Sequence, residues 1–220
     1  MDIAIVVDNS ESVHEVEAKE TLLNEFVKGI INDANVESGN VRFAFSVFTH
    51  DIYNEFFLNS YYDKVAMIAH VDTSSHPQGG SYTGAALENL HSLVFTSAKG
   101  DRAIAPNLAI IVTDGKSNDE HDTLLHATQA KEKGIHIVAV GVGLTDTSEL
   151  FEIASEPVAK NVFTVDGYED LFSIMELIED LFYENCTGNH LTLLTWTLYL
   201  HSYVVYLVVL RRFIINCVMA

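Results

Sequence analysis

Apolar and polar positions change period several times along the chain, and each change marks an element. Short apolar runs at 3–7, 108–112 and 135–140 have the composition of strands buried on both faces. Between them lie stripes of helical spacing. Val16, Leu22, Leu23, Phe26, Val27, Ile30 and Ile31 form one, and Ala85, Ala86, Leu90 and Val94 form another. Leu171, Ile174, Ile178, Leu181 and Phe182 form a third. Residues 41–48 alternate, and after the short link Thr49-His50 a second strand pattern runs from 52 to 57. That pair predicts a hairpin supplying one antiparallel edge strand.

Strands separated by helices predict an α/β fold: a doubly wound, mainly parallel six-stranded sheet with helices on both faces. The expected order is 3-2-1-4-5-6, with strand 3 antiparallel. This pattern ends near Glu184, so residues 1–184 are expected to form one domain and 185–220 a hydrophobic tail. Residues 191–210 contain no Asp, Glu, Lys or Arg, include 15 of Leu, Val, Trp and Tyr, and precede Arg211-Arg212. That stretch is long enough for a bilayer-spanning helix with the arginines on the cytoplasmic side. A non-native C-terminus fits the same abrupt change of composition.

The formal net charge is −19, and the 31 acidic residues all lie at or before Glu184. Up to that point 10 basic residues face 31 acids, a net −21. Such a field repels phosphate backbones and attracts cations, so nucleic acid is excluded as the expected partner. The two cysteines, Cys186 and Cys217, supply neither a disulfide framework nor a zinc cluster. The strand pattern begins at the first residues without a basic leader or cleavage site, so a cytosolic protein or part of a longer one is expected.

Three loops carry candidate chemistry: Asp8-x-Ser10-x-Ser12 after strand 1, Gly79-Gly80-Ser81-Tyr82-Thr83-Gly84 before a helix, and Thr113-Asp114-Gly115 after strand 4. In the expected strand order, strands 1 and 4 are neighbours whose connections leave in opposite directions. The crevice at their carboxyl ends is the usual ligand site of such sheets. Asp8 and Asp114 should meet there, and with no Lys or Arg in these loops they need a counter-charge. Ser10, Ser12 and Thr83 add hydroxyl oxygens. An all-oxygen set suits Mg2+, Mn2+ or Ca2+ rather than zinc or copper. Taken singly, each residue has an ordinary use: Ser10, Ser12 and Thr83 as helix caps, Asp8 as a turn residue. The three loops together, at matching strand ends, favour a metal site. The histidines at 50, 70, 76, 91, 121, 126 and 136 show no ligand spacing.

These motifs resemble a von Willebrand factor type A domain of the matrix kind, as in matrilins and collagen A modules, with integrin inserted domains as cousins. The resemblance runs from about Asp2 to Tyr183. Gly141-Val142-Gly143, Ala154-Ser155-Glu156-Pro157 and 162–166 support it. It implies a metal-ion-dependent adhesion site with Ser10 and Ser12 as direct ligands. Thr83 would be direct or water-bridged, Asp8 and Asp114 inner or outer shell, and an acidic residue of the partner would complete the set. It also implies a cysteine before strand 1 paired with Cys186; no such residue precedes it in this sequence, as in a truncated chain. A shift of the last helix, 168–183, is implied to couple to the site.

The expected function is therefore a non-enzymatic adhesion module of the extracellular matrix or cell surface, binding collagen or a similar matrix protein. An intracellular A-domain scaffold is the alternative. A metal-dependent hydrolase is a further one, although no P-loop, dinucleotide fingerprint or nucleophile elbow occurs.

Overall fold

Strand β1 (Asp2–Asp8) is buried at every residue, because its alternate side chains enter two different cores. Ile3, Ile5 and Val7 face one and Ala4 and Val6 the other. In this computed structural model, which describes residues 1–11 and 19–186, β1 is central. It pairs in parallel with β2 (Arg42–Phe48) and with β4 (Asn107–Thr113). β5 (Ile135–Val142) and β6 (Val162–Val165) continue the parallel sheet beyond β4. β3 (Ile52–Phe56) closes the other edge, antiparallel to β2. The order β3-β2-β1-β4-β5-β6 is the one the sequence pattern predicts.

The larger core lies between the sheet and helices α1 (Lys19–Asp33), α2 (Lys64–Val71) and the final helical segment. Phe26, Val27 and Ile30 of α1 pack with Met67 and Val71 of α2. The final segment is a 3-10 turn, Tyr168–Ile174, running into α7 (Met175–Cys186); Leu171, Ile174 and Ile178 bury against the same face. The side chain of Phe182, expected in that stripe, is outside the described residues, as is Val16 of the first stripe.

The second core holds α3 (Thr83–Asn89), α4 (Glu120–Glu132) and α5 (Ser148–Ile153). A short α6 (Val158–Asn161) leads into β6. On this face the sheet is lined by small residues: Ala44, Ala4 and Ala109 form one row across β2, β1 and β4. The helices therefore sit close to the sheet. They also sit close to each other, since a Cβ on Gly84 of α3 would fall 3.0 Å from the backbone carbon of Asp122 in α4.

The stripe expected from Ala85 to Val94 is helical, but α3 gives way to a π turn at Leu90–Val94. The wider turn puts Leu90, His91 and Val94 all in the interior. His91 Nε2 lies 3.1 Å from His126 Nδ1, and Lys133 Nζ lies 3.2 Å from His91 Nδ1. His126 Nε2 in turn approaches Asp122 Oδ1 at 3.4 Å. Burial, then the Lys133 ammonium and His126, hold the His91 pKa below its ordinary 6.5. The unfolded chain thus binds a proton that the folded one resists. Stability should fall as pH drops from about 6.5 toward the depressed value. Urea unfolding at neutral and mildly acid pH should show this loss. A His91→Gln variant should lose that slope; an unchanged slope would refute the assignment.

Among the described residues no helix is long and apolar enough to cross a membrane. The expected span at 191–210 and Cys217 lie outside them.

Candidate metal centre

Asp8 ends β1 and Asp114 follows β4, the two parallel neighbours at the centre of the sheet. β1 and β4 run in register to Val7 and Val112, so both carboxylates arrive at the same rim. Asp8 is 1% exposed, and its carboxylate is tightly enclosed. Oδ1 accepts from the Ser10 amide at 2.8 Å. Oδ2 accepts from the hydroxyls of Ser81 and Thr113, both at 2.8 Å. Burial raises the Asp8 pKa most strongly, and the nearby Asp114 charge adds to it; hydrogen bonds from Ser10 and Thr113 oppose them.

Thr83 reaches the same group through a neighbour: its Oγ1 lies 3.4 Å from Ser81 Oγ, which donates to Asp8. Thr83 is the first residue of α3 rather than its cap, which is Tyr82, so the ordinary capping role considered for it is not the one adopted. Ser10 forms an isolated parallel bridge with Gly79, and the next amide, Glu11, donates to Gly79 O at 2.8 Å. Asn118 donates its amide to Ser81 O at 2.8 Å, tying the third loop to the second. Asn9 Nδ2 donates to His76 O, fastening the first loop to the segment before Gly79. Four of the five expected residues, Asp8, Ser10, Thr83 and Asp114, are thus brought together. Ser12 lies outside the described residues.

Asp114 has partners that the loop sequences do not announce. Its Oδ2 accepts from Lys19 Nζ at 2.8 Å and from the Tyr168 hydroxyl at 2.6 Å. Lys19 also donates to Ser10 O at 2.8 Å and lies 5.4 Å from the Tyr168 ring centre. The expectation that no basic residue neutralises the two carboxylates is therefore corrected. The cation comes from α1, not from the loops. Burial, followed by Asp114 and then Asp8, pushes the Tyr168 hydroxyl far above its ordinary pKa, so it stays a donor. Ser81, Thr113, Lys19 and Tyr168 are the site residues missed by the sequence reading. For two of them a signal existed: Ser81 sits inside the Gly79–Gly84 motif and Thr113 directly precedes Asp114.

The rim opens into a cleft of about 850 Å3, lined by Ser10, Gly79, Ser81, Asp114 and Lys116, and continuing past Gly143 to Tyr168. A carboxylate pair, one member deeply buried, beside hydroxyls that keep lone pairs while donating their protons, is oxygen chemistry suited to a hard dication. No described histidine side chain hydrogen-bonds to Asp8 or Asp114. Among the described residues no group of three or more His, Cys, Asp or Glu is placed to hold a metal ion.

A sequence profile of the von Willebrand factor type A domain matches residues 2–177. Mouse matrilin-2 is 33% identical over 183 residues, 82% of this chain and 19% of that protein. Chicken matrilin-3 is 32% identical over 86% of this chain and 41% of its own length. The mouse collagen alpha-4(VI) chain is 30% identical over 77% of this chain and 7% of its own. The chain therefore spans less than half of these relatives. Among solved structures, proximal thread matrix protein 1 from the mussel byssus, with a zinc-occupied metal site, superposes with a TM-score of 0.76. It is 24% identical, over 82% of this chain and 47% of that one. Manganese-loaded TRAP protein of Plasmodium vivax gives 0.63 at 21% identity, over 80% of this chain and 72% of that one. These structures share the fold, and the profile and the matrilins place the sequence: the chain belongs to the von Willebrand factor type A domain family.

Proposed function

We propose that the chain is a metal-dependent adhesion module that binds an acidic side chain of a matrix protein such as collagen. The observation that carries this reading is the convergence of Asp8, Ser10, Thr83 and Asp114 on one open rim. Asp8, Ser10, Ser12, Thr83 and Asp114 would hold the ion, which in this setting is Mg2+, Mn2+ or Ca2+. When bound, the ion supplies a positive point of attachment for a carboxylate. The chain's own residues set its surroundings. Asp8 is fixed by three donors and Asp114 by two, so the oxygens are positioned before any ligand arrives.

The same hydrogen bonds argue for adhesion over hydrolysis. A carboxylate already accepting from Ser10, Ser81 and Thr113 is poorly suited to serve as a general base. Matrilins and a collagen VI chain as relatives support a place in the extracellular matrix for this module. Relatives much longer than the chain support its working as one module among several, where weak single contacts add up.

Binding of the chain to immobilised collagen with Mg2+ or Mn2+ should be lost in EDTA. It should also be lost when collagen carboxyl groups are converted to amides. Binding that survives both treatments would refute the proposed function.

A further inference from the structure

Lys19 is the first described residue of α1 and lies on the buried face of that helix, four residues before Leu23 and seven before Phe26. Its side chain is only 3% exposed. A lysine is rarely buried without a charge to answer, and here the answer is Asp114 Oδ2, with Ser10 O and the Tyr168 ring as further neighbours. Lys116, by comparison, pairs with Glu120 and Asp146 at the surface, 40% exposed. Lys19 belongs to the centre itself.

We propose that Lys19 is a fixed internal counter-charge that makes cation binding at this centre depend on the arrival of an anionic ligand. The inference rests on the metal-site reading above and adds a residue that sets its selectivity. Asp8 and Asp114 bring two negative charges, and Lys19 returns one positive charge at hydrogen-bond distance from Asp114. A dication entering this group leaves a surplus of one positive charge, and one carboxylate from outside removes it. Without Lys19 the two aspartates alone would neutralise the dication. Metal would then bind more tightly, and an incoming carboxylate would gain little. Because linkage is reciprocal, what makes the anion strengthen the metal also makes the metal strengthen the anion. Lys19 thus acts through Asp114 as a positioning residue, holding Asp114 Oδ2 together with the Tyr168 hydroxyl.

The test titrates Mn2+ into the full chain by calorimetry, with chloride or acetate as the only anion at equal ionic strength. Wild type should bind Mn2+ about tenfold more tightly in acetate than in chloride. Lys19→Met should bind Mn2+ in chloride about tenfold more tightly than wild type and should show no acetate effect. Lys19→Arg, which keeps the charge, should retain the wild-type acetate effect; a purely structural role for Lys19 would not distinguish Arg from Met in this way. If circular dichroism shows Lys19→Met unfolded, Lys19→Gln decides by the same criteria. An acetate effect as large in the uncharged variant as in wild type overturns the role of Lys19. No Mn2+ binding by wild type in either anion overturns the metal-site reading beneath it.

Discussion

Replacing Arg102 by Met should destabilise the fold by about 3–5 kcal/mol, the cost of stranding a buried carboxylate. Asp2 is fully buried at the start of the central strand. Arg102 approaches it with Nε at 2.9 Å, a terminal nitrogen at 2.7 Å and its own backbone amide at 2.8 Å. The same guanidinium donates to the carbonyls of Gly39, Asn40 and Met1 at 2.7 to 2.9 Å. One planar group thus ties the entries of β1 and β2 to the segment leading into β4. Lysine could not reproduce this fork, so Arg102→Lys should recover little. Urea unfolding followed by far-UV circular dichroism measures the loss. Adding Asp2→Asn to Arg102→Met should restore much of it, because the stranded charge is then gone. A loss under about 1 kcal/mol in the single variant would show that the ion pair is not the anchor described.

The second large effect concerns the opposite end of β1. Asp8→Ala should weaken Mn2+ binding about 100-fold or more, since it removes the carboxylate that orients Ser10, Ser81 and Thr113. For wild type, Mn2+ at a hundred times its dissociation constant should add about 2.7 kcal/mol of stability, read as a rise in melting temperature. Asp8→Ala should show almost no rise at the same concentration. Its metal-free stability must be measured alongside, because three donors lose their acceptor. Mn2+ stabilising Asp8→Ala as much as wild type would remove Asp8 from the centre.

The strand order was legible in the sequence because parallel strands buried on both faces leave apolar runs, as in β1, β4 and β5. Asp8, Ser10, Thr83 and Asp114 were legible as well, since each belongs to a short motif at the end of a strand or the start of a helix. Tyr168 was not. It lies 54 residues beyond the aspartate it touches, and only the folded sheet brings the start of the last helical segment to β4. Lys19 left a fainter trace: a lysine at helical spacing with Leu23, Phe26 and Ile30 stands where an apolar side chain is expected. A charge on that face calls for a buried partner, but helical spacing alone does not say which one. The π turn after Asn89 was equally hidden, since Leu90, His91 and Val94 fit an ordinary helical stripe.

The alanine row across β2, β1 and β4 has a bearing on the rim several residues away. Methyl groups at 44, 4 and 109 make a thin floor, and the helix that begins with Thr83 rests on it. The helix that carries that threonine's oxygen beside Ser81 is thus backed by side chains with no polar atom, none of which lines the cleft. Bulk added to the floor would lift the helix and pull the oxygens apart while every one of them remained in place. Three of the smallest residues in the chain thus act as spacers for its chemistry.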